Sequence, residues 1–164
     1  MFTTKAMLGK LCPATAIIAA CAGIPSTADA MTVSLGTPSL TSRVAITEPV
    51  TVACSPFDSS LTLTSENIHV DVEQAAGKAI AHGSATNGSF LPALLFTCDG
   101  SQRSVPMTLY ADPTGPPFHG GQAVFTVAAS ASAATPCFPG STTCFTSPIA
   151  GQSATQGPTA LNLH

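Results

Sequence analysis

The sequence predicts an all-β protein, an antiparallel immunoglobulin-like sandwich of about 7–9 short strands with two disulfides. Three observations favour this fold class. Several segments alternate apolar and polar residues with the period of two that a strand requires. Turn-forming residues separate these segments, and the 164-residue chain contains 13 glycines and 14 prolines. No convincing amphipathic helix is found, so helical spacers are not expected between the strands.

The clearest strand is Ile68–Glu73, in which every second residue is apolar. The alternation gives it two faces, with Ile68, Val70 and Val72 on one and His69, Asp71 and Glu73 on the other. Similar patterns predict strands at Val50–Cys54, Leu94–Cys98, Val105–Leu109, Gln122–Val127 and Thr159–Leu163, and short edge strands at Met31–Leu35 and Arg43–Ile46. Pro106 indicates an edge position for its strand, because proline cannot donate to a ladder.

Three dipeptides are typical of tight turns. Asn87-Gly88 and Asp99-Gly100 are favoured in type I′ hairpins. Gly77-Lys78 could reverse the chain after Ile68–Glu73, which argues against a helix over Val72–Ala81. Residues 133–158 are small and polar, and we expect them to form a long loop in a single sandwich domain that spans residues 31–164.

Residues 1–30 are predicted to be a secretory signal peptide. Lys5 and Lys10 precede an uncharged apolar run, and Ala28–Ala30 reads Ala-Asp-Ala, a small-residue cleavage signature. The run is too short to span a bilayer, and no transmembrane segment is expected in the mature chain. The alternative is a lipoprotein cut before Cys21, which would leave the protein lipid-anchored at the outer face of the cell membrane.

Removal of the leader leaves an even number of cysteines, which is what a disulfide framework in an exported protein requires. Four cysteines allow three pairings. We favour Cys54–Cys98, which would join two predicted strands. The second pair is then Cys137–Cys144, which closes a short loop around the turn residues Pro139-Gly140.

Three segments and the close cysteine pair carry a resemblance to a known group. The segments are Val50–Cys54, Cys98–Gly100 and Phe118–Ala123, which reads Phe-His-Gly-Gly-Gln-Ala. Together they make residues 45–163 similar to small exported proteins of actinobacteria, which are immunoglobulin-like sandwiches of unassigned function. The resemblance implies a bacterial, extracellular protein with that fold, and it supplies no catalytic residues.

Composition and motifs exclude several function classes. With 5 basic and 8 acidic residues, the chain lacks the clustered positive charge that nucleic-acid binding needs. It contains no nucleophile elbow, zinc-protease motif, phosphate loop, dinucleotide fingerprint or Cys-x-x-Cys pair. We therefore predict no enzymatic activity, no cofactor and no metal site.

The polar residues mostly have simple interpretations. His69, Asp71 and Glu73 could polarise a substrate or hold a metal, but a solvated strand face explains them better. His82 and His119 have no obvious partner. The other carboxylates adjoin proline, glycine or serine and are interpreted as turn residues: Glu48, Asp58, Glu66, Asp99 and Asp112.

Phe138 and Phe145 are the candidate binding residues, because a disulfide-closed loop can present aromatic anchors to a partner. The competing interpretation is that these rings pack on the sandwich. The leading hypothesis is a secreted, non-enzymatic binding or surface-interaction module with an unknown protein or envelope partner. The alternative is a small secreted protease inhibitor that uses the Cys137–Cys144 loop.

Overall fold

The protein consists of antiparallel β-strands and loops. The structure is a computed structural model that describes residues 31–90, 93–138, 144–146 and 150–164. In these ranges the chain forms eight strands and no helix. They are β1 (Thr32–Leu35), β2 (Ser39–Ser42), β3 (Ala45–Ala53), β4 (Thr62–Ala76), β5 (Ala79–Phe90), β6 (Arg103–Ala111), β7 (Gly121–Ala134) and β8 (Ala150–Leu163). The all-β prediction and both favoured disulfides are confirmed.

All eight strands belong to one sheet, whereas a sandwich has two separate sheets. The order is β1-β3-β6-β5-β4-β7-β8, and β2 pairs with β3 beside β1. Leu40 in β2 donates its N–H to the carbonyl of His164, which follows β8 (2.8 Å). The sheet therefore curls until its two edges approach each other, and its shape is nearly that of a barrel.

Among the described residues, the seam between the two edges has one main-chain hydrogen bond, from Leu40 to His164. The path holds seven strands, and each is antiparallel to the next, so the first and the last run in the same direction. Side chains of β8 also cross the seam. Gln156 Oε1 accepts the Leu35 N–H (3.0 Å), and Gln152 Nε2 donates to the Ser55 carbonyl (2.9 Å).

Inward-facing side chains of the strands form one core. Alternation holds along β3, β4, β6 and β7, whose core residues include Ile46, Val50, Ile68, Val70, Val72, Leu109, Phe125 and Val127. The alternation predicted for Ile68–Glu73, Val50–Cys54 and Val105–Leu109 is thus confirmed. Burial of these side chains provides the main driving force for the fold, at about 1.5–3 kcal/mol for each fully buried Val, Leu, Ile or Phe.

Two prolines occupy strand positions where no ladder hydrogen bond is lost. Pro49 in β3 lies opposite Pro106 in β6. The main chain of Pro49 faces the gap between the end of β1 and the start of β2, and its carbonyl accepts the Gly36 N–H there (2.9 Å). Because no strand lies opposite Pro49 in this gap, its missing N–H costs no ladder hydrogen bond. The N–H that Pro106 lacks would point toward β5, which pairs with β6 only at Gly83 and Ser84. The predicted edge strand is wrong, because β6 lies between β3 and β5, although Pro106 itself occupies a stretch that pairs on one side only.

One end of the barrel, called here the Glu66 end, is closed by the β5–β6 connection. Phe96 from this connection is buried, and the Cys54–Cys98 disulfide ties the connection to the end of β3. Glu66, on the inner face of β4, accepts the N–H groups of Leu95 and Phe96 and the hydroxyl of Ser89. A buried carboxyl thus orders a loop that has no ladder of its own.

The opposite end, called the Gln74 end, is closed by the β6–β7 connection. Phe118 is fully buried there, and its N–H donates to the Arg43 carbonyl (2.8 Å). Gln74 of β4 donates its amide to the His119 carbonyl (2.7 Å) and accepts the His119 N–H (2.9 Å). An added Cβ at Gly83 would lie 2.7 Å from Phe118 Cζ, so only glycine leaves room for this ring.

Several predictions about individual segments are wrong. Leu94–Cys98 is loop, because its main chain is hydrogen-bonded by the Glu66 side chain and not by a strand. Asn87-Gly88 lies inside β5, since the Gly77-Lys78 turn already reverses the chain. Residues 150–158, expected in the loop, belong to β8. Its inner face carries Gln152 and Gln156, so it lacks apolar alternation.

Two carboxylates interpreted as turn residues are in fact buried on inner strand faces. Glu48 and Glu66 are 0% and 3% exposed. Glu48 Oε1 accepts the Gly36 N–H (2.7 Å), whereas no described residue contacts Oε2 within hydrogen-bond distance. Burial raises the pKa of Glu48 to about 7, although the Gly36 hydrogen bond opposes this shift.

Candidate functional site

The outer face of β4 carries the three polar residues that the alternation predicts. His69 Nε2 lies 2.9 Å from Asp71 Oδ2, and His69 Nδ1 lies 2.7 Å from Thr86 Oγ1 of β5. Glu73 pairs instead with His82 of β5, at 3.5 Å. His69 therefore pairs with Asp71 along β4 and with Thr86 across to β5, Glu73 pairs across to β5, and the three residues do not converge on one point. Within the described ranges, no group of three or more His, Cys, Asp or Glu is arranged to hold a metal ion.

A groove on the outer face of the sheet is the candidate functional site. It has a volume of about 810 Å³, within the range typical of small-molecule and peptide sites. Five neighbouring strands and the turn after β6 supply its lining: Asp71, Val72, Glu73, His82, Gly83, Ser84, Tyr110, Ala111, Asp112, Pro113, Val124, Thr126 and Pro158. These residues are far apart in sequence, and the order of the strands in the sheet brings them together.

The charge of the groove is negative. Its lining contains three carboxylates, Asp71, Glu73 and Asp112, and no lysine or arginine. The main-chain N–H and the hydroxyl of Thr114 both donate to Asp112 Oδ1, at 2.8 and 2.7 Å. These bonds lower the pKa of Asp112, and His82 contributes a smaller Coulombic effect in the same direction. Asp112 is therefore ionised at neutral pH.

Tyr110 provides an exposed aromatic surface in the groove. It is the single tyrosine of the chain and is 65% exposed. It points outward because Val105, Met107 and Leu109 take the inner positions of β6. Val124 of β7, 40% exposed, adds an apolar surface to the lining, three strands away from Tyr110. An aromatic face beside carboxylates is suited to a positively charged group.

Gly83 and the main chain at the β5–β6 junction hold the groove in place. Asp112 donates its N–H to the His82 carbonyl (2.8 Å), which fixes the end of β6 against β5. Phe118 packs beneath Gly83 on the inner side of the sheet. The loop that closes the Gln74 end thus also supports the groove from below.

The predicted binding residues Phe138 and Phe145 lie elsewhere. They belong to the clip, defined here as the segment closed by the Cys137–Cys144 disulfide together with Phe145. Phe138 is 68% exposed, whereas Phe145 is half-buried and forms an isolated bridge with Pro136. The Cys137 N–H donates to the Cys144 carbonyl (3.0 Å). Residues 139–143, with the predicted Pro139-Gly140 turn, lie outside the described residues.

The clip and the groove are distant from each other. The groove uses Val124 and Thr126 near the start of β7, while the clip follows the end of that strand. At roughly 3.3 Å per residue, about 30 Å of strand separates them. The clip lies at the Glu66 end, so a ligand in the groove would not contact Phe138.

Sequence reasoning missed the groove because its residues have no shared motif. The sequence predicted no partner for His82 and a turn position for Asp112. In the structure the two residues line the groove together. The outward position of Tyr110 follows from the alternation in β6. The adjacency of β5 to β6 and of β4 to β7 requires the sheet order, which the sequence does not reveal.

Comparisons with known proteins leave the function to be argued from this geometry. No protein-family model, curated protein or solved structure matches the chain. None of the residues that the structure describes forms a helix long and apolar enough to cross a membrane. The groove and the clip are therefore assessed by their own chemistry.

Proposed function

We propose that this protein is an exported, non-enzymatic binding module that holds a positively charged segment of a partner protein in its groove. The observation that supports this proposal most directly is the combination of three carboxylates with the exposed ring of Tyr110 in one concavity. A lysine or arginine side chain matches both features. Its charge is attracted by the carboxylates, and its cation can lie over the aromatic face.

The size and openness of the groove favour a short peptide segment over a single ion. The groove spans five strands, and its carboxylates lie on β4 and after β6, so two or more basic side chains could be bound at once. A cation–π contact contributes about 0.5–2 kcal/mol, depending on how far the ring and the cation are removed from water. Exposed charge pairs add less, about 0–1 kcal/mol each, and are weakened by salt.

An extracellular setting agrees with the disulfides, which persist in oxidising compartments. The leader at residues 1–30 and the lipoprotein alternative before Cys21 lie outside the described residues, so both stay predictions. The resemblance to exported actinobacterial proteins and the immunoglobulin-like assignment likewise stay parts of this proposal. An envelope protein with a basic region would be a suitable partner.

The intrinsic fluorescence of the protein offers a direct test. The chain has one tyrosine and no tryptophan, so tyrosine emission reports on Tyr110 alone. We expect an arginine- and lysine-rich peptide to change this emission in a saturable way, and a glutamate-rich peptide of equal length to leave it unchanged. Binding should weaken as the salt concentration rises.

Matched variants separate binding in the groove from general attraction to an acidic protein. Asp71→Asn should weaken peptide binding several-fold, whereas Asp58→Asn removes the same charge from an exposed turn outside the groove and should have little effect. Tyr110→Ala, followed by calorimetry, should weaken binding about 10-fold. Equal effects of the two aspartate variants, or no response to the basic peptide at low salt, would contradict the proposal.

The clip supports a second candidate function, protease inhibition. Phe138 is exposed in a segment that a disulfide holds, which is how a substrate-like loop can be presented. If the clip inhibits, the protein should slow subtilisin-like or trypsin-like proteases, and Phe138→Ala should abolish the effect. Unchanged protease rates at high protein concentration would remove this candidate and leave the groove proposal intact.

A further inference from the structure

The second half of β5 has a free edge, called here the open edge and defined as residues 85–90. β5 pairs with β4 over its whole length, but on its other side it pairs with β6 only at Gly83 and Ser84. The described residues offer no strand partner to the open edge. The inner-facing residues Asn87 and Ser89 are only half-buried, so this part of the strand is exposed to solvent.

The pairing pattern identifies which main-chain groups point to the open side. The His82 carbonyl accepts the Asp112 N–H of the β6 side, and the β4–β5 register runs without a bulge. Main-chain groups of every second residue along a strand point the same way. Thr86, Gly88 and Phe90 therefore direct their N–H and carbonyl groups toward the open side, where Ala93 already donates to the Phe90 carbonyl (3.2 Å).

The open edge lacks the features that normally block strand addition. It reads Ala-Thr-Asn-Gly-Ser-Phe, with no charged residue and no proline. Natural edge strands are usually protected by lysine, proline or a bulge. The neighbouring edge of β6 does carry such protection, in Arg103 and Pro106. Of these two facing edges, the contrast favours β5 as the one that is able to accept another strand.

We propose that the open edge is a dimer interface, in which β5 of two copies pair in antiparallel fashion about a two-fold axis at Gly88. This register brings Gly88 opposite Gly88 of the second copy and Thr86 opposite Phe90. All three positions then form hydrogen-bonded pairs, in which the Phe90 carbonyl accepts both the Ala93 N–H of its own chain and the Thr86 N–H of the second copy. No other copy-to-copy register centred on this segment uses all three positions at once.

Side chains support the same register. Phe90 is 73% exposed, the highest value among the large apolar side chains of the described residues. In the dimer its ring would lie beside Thr86 and diagonally across from Gly88 of the second copy, where the absence of a side chain leaves room. Because the segment is uncharged, bringing two copies together causes no charge repulsion. A second copy therefore fits better than a basic peptide, which the groove would bind independently.

The interface is small, so a weak, concentration-dependent dimer is expected. Sedimentation equilibrium of the purified protein over a wide concentration range should show a monomer–dimer equilibrium. Phe90→Lys should raise the dimer dissociation constant about 10-fold or more. Phe138→Lys makes the same change at another exposed phenylalanine and should leave the equilibrium unchanged. A monomer at every concentration would overturn the proposal, as would equal effects of the two variants.

A cysteine scan tests the register. Gly88→Cys would place two cysteines across the axis with their Cα atoms about 5.5 Å apart, a separation that a disulfide accommodates. Mild oxidation should then give a covalent dimer. Phe90→Cys is the control, because its two copies would be offset by four residues, about 13 Å. Cross-linking at position 90 but not at 88 would overturn the proposed pairing. Thr86→Pro, which removes an outward N–H, should weaken the dimer without unfolding the monomer.

Discussion

The two ends of the barrel are closed by the same device with different chemistry. At each end a loop places one phenylalanine in the core, and one inner side chain of β4 holds the loop main chain. At the Glu66 end the holding group is a carboxyl, which accepts the Leu95 and Phe96 N–H groups. At the Gln74 end it is an amide, which both donates to and accepts from His119. A loop can therefore be held by a group that titrates or by one that does not.

The Glu66 end also holds both disulfides, whereas the Gln74 end has none. Cys54–Cys98 spans 44 residues and Cys137–Cys144 spans 7. The Gln74 end depends instead on the close fit of Phe118 over Gly83. The comparison suggests that covalent bonds stabilise the end whose holding group is costly to bury, while packing alone is sufficient where the holding group is neutral.

The largest expected effect is loss of the long disulfide. Replacing Cys54 and Cys98 by alanine should lower the free energy of unfolding by about 4 kcal/mol, because a long loop of the unfolded chain is released. The matched change at Cys137 and Cys144 should cost roughly 2–3 kcal/mol, since its loop is short. Urea unfolding of both variants measures the difference. A larger loss from the short pair would show that the clip, and not the closure at Phe96, carries the stability.

Exchanging the carboxyl and the amide that hold the two loops should lower the free energy of unfolding by different amounts at the two ends. Gln74→Glu at pH 8 should cost about 3 kcal/mol, because a buried carboxylate would face the His119 carbonyl. At pH 4 the cost should shrink, since a protonated carboxyl can donate to that carbonyl. Glu66→Gln should cost less, about 1–2 kcal/mol, because it buries no charge although its amide meets an N–H group. Thermal unfolding at the two pH values provides the measurement.

Buried carboxyls should make the protein less stable as the pH rises. Glu48 has a folded pKa of about 7 and an unfolded value of 4.5. Below pH 4.5 it is protonated in both states. Between about 4.5 and 7 only the unfolded state releases its proton, so stability decreases by about 3 kcal/mol across this window. Burial raises the pKa of Glu66 as well, despite its hydrogen bonds to Phe96 and Ser89, and acts in the same direction.

Glu48→Gln provides the control for this pH dependence. The variant should flatten the decrease in the free energy of unfolding between pH 4.5 and 7, which chemical denaturation at several pH values would measure. Hydrogen exchange can locate the Glu66 contribution, since the protection of the Phe96 amide should fall more with pH than that of the His119 amide. A wild-type stability that rises over this window would contradict the assignment of both groups.

A pair of glycine variants tests the packing at the Gln74 end. Gly83→Ala would bring a methyl group within 2.7 Å of Phe118 Cζ and should cost about 2 kcal/mol through overpacking. Gly120→Ala meets only the Leu163 carbonyl, at 3.8 Å, and should change stability by less than about 0.5 kcal/mol. Melting temperatures of the two variants give the comparison. Because Gly83 lines the groove, the first variant should also reduce peptide binding.

Local pattern predicted the central part of the fold. The alternation in Ile68–Glu73 and the Gly77-Lys78 turn act over short distances, and the structure agrees with both. It also agrees with the pairing of the four cysteines that was favoured. The predicted turn at Asn87-Gly88 is wrong, because the Gly77-Lys78 turn already fixes the register of β5 against β4. The intrinsic turn preference of the dipeptide is weaker than this pairing. The turn preference of a dipeptide is therefore only one of several contributions that decide where the chain reverses.

The inward polar residues could not be predicted in the same way. Glu48 and Glu66 interrupt apolar faces, and beside proline or serine they resemble turn residues. Their roles depend on where distant loops end, since Glu66 holds a connection that begins after β5. Gln152 and Gln156 also interrupt an inner face, and their side-chain amides bond main-chain groups of Ser55 and Leu35. These features follow from topology, and so does the groove.

The seam between β1 and β8 also has a consequence for the order of folding. The hydrogen bond from Leu35 to Gln156 joins residues 121 positions apart. If the chain is exported from its N-terminus, the first strand arrives long before the last, so closure must wait while the five other strands on the path pair with their neighbours. Contacts between such distant residues also have the largest loop-closure entropy. Export from the N-terminus would therefore leave an open, curved sheet as the species present before the seam closes.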